Sequence, residues 1–342
     1  MKVAVWDAVN HVTIEERPKP VADEHHVVVR VKAVGLCATD IHMIKGNVAL
    51  ASPPAVLGHE IAGEIDEVGP GVQGWKKGDR VAIDTIISCG RCVACKSGRK
   101  ELCSERNEIG YNPYDGGYAE YVRVPSQCLV HLPDNVPYRD AAIMESVACP
   151  FGAVLRIGVK VGSTVLVQGG GPAGIAFIQA AKLSGARLVI ASVRGKERIA
   201  YAEHFGADVV IDAANEDVEK RVMELTDGMG CDYVMEATGS VSGIELCFDV
   251  CKNGGDVLYY GIPSVDAKIE FPFMKMMIKQ LRLHGILEYC AGWDVLASLV
   301  AAGKVNLHDM VTHTFKLEEF SKALDLYNSG DRSFIKMVFE ND

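Results

Sequence analysis

The sequence predicts an α/β protein of two domains: a mainly β domain over residues 1–149, completed by 289–342, and a doubly wound parallel sheet over 150–288. Three observations predict it. The chain's 342 residues are too many for one small core and suit two of ordinary size. The first 150 residues are rich in short β-branched runs such as "HHVVVRVKAVG" and "AEYVRVP", punctuated by glycine and proline, as in a compact β domain. From Ser163 onward strands and helices alternate, which implies a parallel sheet covered on both faces.

The alternating region reads element by element. "STVLVQG" is a strand, Pro172 to Ser184 a helix, "ARLVIASV" a strand, and a further helix ends near "HFGAD". "DVVID", "CDYVMEATG", "GGDVLYYGI" and "LRLHGIL" continue as strands with helical patterns among them. After about Glu288 come a helical stretch, "MVTHTF", another helix and "FIKMVFE". That tail is too small for a domain and is expected to fold back onto the first one.

Net charge is −10, from 35 Lys and Arg against 45 Asp and Glu, which repels phosphate backbones and anionic lipid. No nucleic-acid partner is expected. No apolar run approaches a membrane span, and "MKVAVWDAVN" lacks a signal core, so no membrane association is expected and the cytoplasm is the expected location. Eleven cysteines, an odd number, suit a reducing compartment and metal ligation better than a secreted disulfide framework.

"VLVQGGGPAGIAFIQAAKLSGA" sets Gly169, Gly171 and Gly174 in the G-x-G-x-x-G pattern, directly after a strand and at the start of a helix. Such glycines allow a tight turn and close approach of backbone to a pyrophosphate, while the helix N-terminus favours negative charge. Pro172 and Ala173 complete the candidate loop, with Thr238 after a later strand. NAD binders usually carry an acid at the end of the second strand. Here Val193 stands there, flanked by Ser192 and followed by Arg194, Lys196 and Arg198, with no acid before Glu197. Arg194 and Arg198 offer guanidinium donors to a 2′-phosphate, so NADP is preferred and NAD remains possible. The alternative is that these cations form an ordinary solvated helix start.

"CGRCVACKSGRKELC" packs Cys89, Cys92, Cys95 and Cys103 into one stretch. The spacing lets one ion meet all four sulfurs once the loop curls, and makes disulfides between near neighbours strained. "VGLCATDIHMIKG" and "VLGHEIAGEIDEVGPGVQGWKKGDRVA" add a cysteine, histidines, an aspartate and a glutamate near glycines.

Together with "AIMESVACP", "GILEYC" and "VTHTF", these segments resemble the zinc-dependent medium-chain alcohol dehydrogenases over nearly the whole chain. Within that family the sorbitol, butanediol and threonine dehydrogenase branch is the nearest in pattern. The resemblance implies a GroES-like catalytic domain followed by a Rossmann domain. It implies two zinc ions per chain, one catalytic and one structural. Cys37 and His59 are then ligands of the catalytic ion, Glu60 can exchange into the coordination sphere, and Glu145 falls where this branch has a carboxylate that binds directly or through water. Thr39 matches the hydroxyl that touches the substrate oxygen and His42 the histidine that relays the proton, a chain whose members both donate and accept. Asp40 reads as a hydrogen-bond acceptor that fixes the loop. Cys89, Cys92, Cys95 and Cys103 match the closed structural site, a brace without chemistry. Mammalian sorbitol dehydrogenases lack the full set, so the intact quartet leans toward bacterial two-zinc members.

The implied reaction is hydride transfer between a secondary alcohol or polyol, or the matching ketone, and NADP(H). An NAD-dependent polyol, butanediol or threonine dehydrogenase is the alternative, and a non-catalytic zinc- and nucleotide-binding protein a remote one. A homo-oligomer is implied, with a tetramer favoured over a dimer. One departure concerns substrate: where sorbitol dehydrogenases carry an arginine before a tyrosine, this chain has Glu288 and Tyr289. Glu288 is expected to accept hydrogen bonds from hydroxyls and to repel anionic substrates.

Overall fold

The computed structural model describes residues 1–264, 266–287, 292–331 and 333–342. Two compact units divide the chain: Met1–Ala148 with Cys290–Asp342, and Cys149–Tyr289.

The first unit opens with a hairpin, β1 (Lys2–Ala8) and β2 (His11–Glu16). The long strand β3 (His26–Gly35) leads into the short helix α1 (Ala38–Ile44), and β4 (Glu60–Val68) and β5 (Arg80–Ile83) follow. Small pieces cross the cysteine segment: β6 (Ile86–Ile87), α2 (Val93–Lys96) and β7 (Asn107–Glu108). Then come β8 (Tyr121–Pro125), β9 (Leu129–His131), α3 (Tyr138–Ala142) and α4 (Met144–Ile157). In β3 the run Val27–Val29 is wholly buried, because this strand is central and both its faces are covered.

The second unit alternates as its periodicity predicts: β10 (Thr164–Gln168), α5 (Pro172–Leu183), β11 (Leu188–Val193), α6 (Lys196–His204), β12 (Val209–Asp212), α7 (Val218–Leu225), β13 (Cys231–Glu236), α8 (Val241–Val250), β14 (Cys251–Tyr259), α9 (Phe273–Lys279) and β15 (Arg282–Gly285). The six strands are parallel in the order β12-β11-β10-β13-β14-β15. The order reverses between β10 and β13, the switch point at which doubly wound sheets bind ligands above the strand ends. Leu166, Ile190, Val234 and Val257 carry its core from strand to strand.

The chain then returns to the first unit with α10 (Trp293–Ala301), β16 (Val311–Phe315), α11 (Phe320–Asn328) and β17 (Lys336–Glu340). β17 lies antiparallel to β3, completing a sheet ordered β16-β17-β3-β4-β5-β9, with β8 also on β3. Phe320 stacks on Phe339 at 5.0 Å between centroids, and Tyr118 meets both edge-on. The tail thus supplies core as well as a strand. Among the described residues no helix is long and apolar enough to cross a membrane.

At the edge of the second sheet, Asp256 on β14 receives Arg282 through Nε at 2.7 Å and Nη2 at 2.5 Å, and His284 through Nε2 at 2.8 Å. Burial raises this carboxyl's pKa, but the bonds from Arg282 and His284 outweigh it and hold the pKa below its ordinary value. A lowered carboxyl pKa stabilises the fold above the unfolded value, and the contribution is lost as pH falls through the folded one. Asp256→Asn is therefore expected to lower Tm at neutral pH and to matter progressively less below about pH 4; thermal melts across that range check this, and a loss independent of pH would refute it.

Candidate catalytic metal and dinucleotide sites

β3 and β4 set the first site. Gly35, the last residue of β3, is in register with Glu60, the first of β4. Cys37 follows as the N-cap residue of α1, and His59 precedes β4. Cys37, His59 and Glu60 each turn one donor atom inward, and these atoms lie within 4.8 Å of one another. His59 and Glu60 are buried.

Two of the three donors face partners drawn from elsewhere in the chain. His59 Nδ1 lies 3.2 Å from Asp40 Oδ1, which leaves Nε2 as the nitrogen able to ligate. Asp40 Oδ2 in turn accepts the Tyr118 hydroxyl at 2.6 Å. The Tyr111 ring packs edge-on against His59, with centroids 5.9 Å apart. Burial by itself lowers the pKa of His59; Asp40 first, then Cys37 and Tyr111, raise it well above the ordinary histidine value. Glu60 Oε1 accepts the ammonium of Lys336, while Glu60 Oε2 is buried without a hydrogen-bond partner. A half-buried thiol beside a buried imidazole and a carboxylate with one orphaned oxygen fit a zinc ion, whose ligands are S, N and O.

Gly35 makes this pairing possible. It stands in register with Glu60 on one side and Val338 of β17 on the other, so Lys336 must reach across it. A Cβ at Gly35 would lie 1.9 Å from Glu60 Oε2. No other residue type leaves that space open.

The structure brings some expected residues together and leaves others apart. Glu145, in the first turn of α4, is not in the donor trio. Burial pushes its carboxyl up to about 8, with Glu60 and Glu108 adding to the rise and His59 and Lys336 opposing it. Thr39 and His42 lie on α1, half-buried and exposed respectively, without a hydrogen bond between them. Glu288 and Tyr289 lie outside the described residues. Lys336 and Tyr118 were not anticipated as parts of the site. The signal for Lys336 was a lysine inside the apolar run "FIKMVF".

The sulfurs of Cys89, Cys92, Cys95 and Cys103 also lie within 4.8 Å of one another. Cys92 and Cys95 are 3.4 Å apart and Cys89 and Cys95 3.9 Å, far beyond a disulfide bond. Backbone amides point at the sulfurs: Cys95 N at Cys92 Sγ, 3.5 Å, and both Cys89 N and Glu105 N at Cys103 Sγ, 3.4 Å. The Cys95 amide leads the effects that pull the Cys92 thiol down to about 6. Donors aimed at sulfur favour thiolate, the form that binds metal.

In the second unit, Gly169 to Gly174 form the turn from β10 into α5. Gly171 is the N-cap residue, without a side-chain cap, and Pro172 occupies the first turn. A Cβ at Gly174 would stand 1.9 Å from Gly169 O, a cradle that only glycine permits. Ser192 and Val193 end β11 and are buried, and Ser192 O accepts the Gly169 amide at 2.9 Å. Arg194 is exposed beyond them. Arg198 differs: its Nη1 donates to Gly170 O at 3.1 Å, so it braces the glycine loop. The uncapped amides and the glycine cradle fit a dinucleotide pyrophosphate.

Comparison with known proteins agrees with this geometry. Residues 23–134 match the alcohol dehydrogenase GroES-like domain and residues 172–302 the zinc-binding dehydrogenase family. The chain is 36% identical over 324 residues to a sorbitol dehydrogenase of Halalkalibacterium halodurans, covering 94% of each. It is 36% identical over 329 residues to an L-threonine 3-dehydrogenase of Pyrococcus furiosus, covering 94% of this chain and 92% of that one. A zinc-binding dehydrogenase of Sinorhizobium meliloti, solved bound to NADP, superposes with a TM-score of 0.93 at 30% identity, covering 99% of both chains. With both halves matched and relatives aligned along nearly its whole length, the chain belongs to the zinc-dependent medium-chain alcohol dehydrogenase family, as an oxidoreductase of the alcohol and polyol kind.

Proposed function

We propose that the protein oxidises a secondary alcohol or polyol, or reduces the matching ketone, with NADP(H) preferred over NAD(H). The observation that carries this reading is the trio of half-buried Cys37 with buried His59 and Glu60, one Glu60 oxygen having no hydrogen-bond partner among the described residues. Zinc held by these residues would supply acidification of the alcohol hydroxyl and an open position for it. Asp40 fixes the His59 ring so that Nε2 faces the ion, and Lys336 occupies one Glu60 oxygen and leaves the other. The geometry favours Glu60 over Glu145 as the resting ligand; Glu145 acts directly or through water. Thr39 receives the hydroxyl proton and the exposed His42 passes it to solvent. A nicotinamide dinucleotide held by the glycine loop Gly169–Gly174 would accept the hydride from the alcohol carbon, giving ketone, reduced cofactor and one proton.

The dinucleotide rests on Gly169, Gly171, Pro172, Ala173 and Gly174, with Ser192, Val193 and Thr238 beside it. Arg194, exposed and without a carboxylate partner among the described residues, supports NADP, and an NADP-bound relative adds to that support. Cys89, Cys92, Cys95 and Cys103 hold a second, structural zinc, for which their amide-directed sulfurs are the support. Reduced thiols in that number suit the cytoplasm. β15 ends its sheet, and α9 nearby exposes Phe273, Met274, Met277 and Ile278, apolar area that supports self-association, with a tetramer favoured. The carboxylate of Glu288, standing where sorbitol dehydrogenases carry an arginine, supports a neutral or amine-bearing secondary alcohol or short diol over an anionic one.

Three experiments follow from this reading. Metal content by atomic emission should be about two zinc per chain; Cys92→Ser should lose one zinc and stability while surviving protein keeps turnover, and Cys37→Ala should abolish turnover in folded protein. Equal loss of turnover from both, in folded protein, would overturn the division of roles. kcat/KM should be higher with NADP(H) than with NAD(H), and Arg194→Ala should weaken the phosphorylated cofactor selectively by about 1 to 3 kcal/mol; preference for NAD with indifference to the substitution would refute it. Across a panel of alcohols and ketones, neutral secondary alcohols and diols should exceed hydroxy acids and sugar phosphates in kcat/KM by about tenfold or more, and efficient turnover of an anionic substrate would reject the assignment.

A further inference from the structure

Glu236 ends β13, an acid closing the otherwise apolar run Tyr233–Met235, and it is wholly buried. It is in register with Gln168, the last residue of β10. These strands flank the switch point of the sheet, where a bound dinucleotide crosses the strand ends. Among the described residues no cation pairs with Glu236. Its donors are neutral: the Thr238 amide at 2.7 Å, the Gly239 amide at 3.1 Å and the Thr238 hydroxyl meet Oε1, and the Gly239 amide lies 3.2 Å from Oε2. A set of donors requires a group that only accepts, which a carboxylate is. Gln168 does not share the load, because its Nε2 is turned to Gly243 O and Cys247 Sγ, each at 3.1 Å.

These bonds have a product. They fold residues 236–239 into a turn that forms one wall of the glycine cradle: a Cβ at Gly169 would stand 3.1 Å from Ala237 O and 3.3 Å from Thr238 Cγ2. On the other side, a Cβ at Gly261 would stand 2.7 Å from Glu236 Oε2, so the following chain lies against the carboxylate only because Gly261 has no side chain. Neutral donors satisfy a buried charge without cancelling it. Its field therefore reaches the switch point above.

We propose that Glu236 is a positioning residue for the cofactor with an electrostatic consequence: it shapes the turn 237–239 against which the dinucleotide lies, and its unneutralised charge favours the oxidised nicotinamide ring, which is cationic, over the neutral reduced ring. The inference rests on the dinucleotide reading given above. It makes the protein bind the oxidised cofactor more tightly than geometry alone would allow, and release the reduced form more readily.

The test is equilibrium binding of NADP+ and NADPH, separately, to the intact zinc-loaded protein, followed by quenching of tryptophan fluorescence. Glu236→Gln keeps the shape and removes the charge; it should weaken NADP+ by about tenfold more than NADPH, the scale of one charge interaction inside a protein. Glu236→Asp keeps the charge and withdraws it from the turn; it should weaken both forms together, leaving their ratio near the wild-type value, and it decides the matter if the glutamine variant does not fold. An unchanged ratio in Glu236→Gln, or unchanged affinities in Glu236→Asp, would overturn the inference while the dinucleotide reading stands. Failure of the wild type to bind either form would overturn that reading, and the inference with it.

Discussion

The buried ion pair between Glu60 and Lys336 is the constraint on which the first unit turns. Two opposite charges with little solvent between them are stable only together, since removing one partner of such a pair strands the other at a cost of roughly 3–5 kcal/mol. Their meeting depends on the sheet order β17-β3-β4, on the register that aligns Gly35 with Glu60, and on the missing side chain at Gly35. The other carboxylate oxygen is left without a hydrogen bond among the described residues, and Glu60 turns one oxygen toward Cys37 and His59. A tail strand, a glycine and a charge pair thus specify one inward-facing oxygen.

A second chain of contacts joins that site to the core. Phe320 and Phe339 pack on Tyr118, Tyr118 donates to Asp40, and Asp40 faces His59. Each link is short and buried, so the orientation of the imidazole is set by apolar packing several residues away. The Tyr118–Asp40 link is a hydrogen bond, and the attraction between the Asp40 carboxylate and the His59 ring carries the chain to the site. Glu60 begins β4 and Glu236 ends β13, so each of these carboxylates sits at a strand terminus.

The parts of the protein that were legible in its sequence are those encoded locally. The alternation from Ser163, the spacing of Gly169, Gly171 and Gly174 and the four thiols of one short loop each carry their meaning within a few residues. Cys37 and His59 came from local motifs too, and Asp40 was read as a hydrogen-bond acceptor, which it is. What escaped was non-local. Lys336 is 276 positions from Glu60, and Tyr118 is 78 from Asp40; neither distance leaves a periodic trace. Arg198 was assigned to the cofactor from its charge, yet it also bonds to Gly170 O, a contact that depends on how α6 follows β11. Glu236 carried a faint signal, an acid closing an apolar strand, that only the hydrogen-bond pattern makes intelligible.

The closing of the first sheet by β17 has a consequence for the order in which the molecule can be made. A ribosome delivers the second unit as one contiguous stretch, and domains generally fold as they emerge. The first unit has no such freedom: β8 covers one end of its central strand β3, but the Ala33–Gly35 end stays unpaired on that flank until residues some 300 positions later have been synthesised. Glu60 meanwhile lacks its counter-charge, and Gly35 has no neighbour on that flank. The nascent metal-binding half must therefore persist as an unfinished sheet, open to chaperones and to stray strands, while the nucleotide-binding half is already complete. β17, made after every other strand described, is the one that commits the donor atoms to their places.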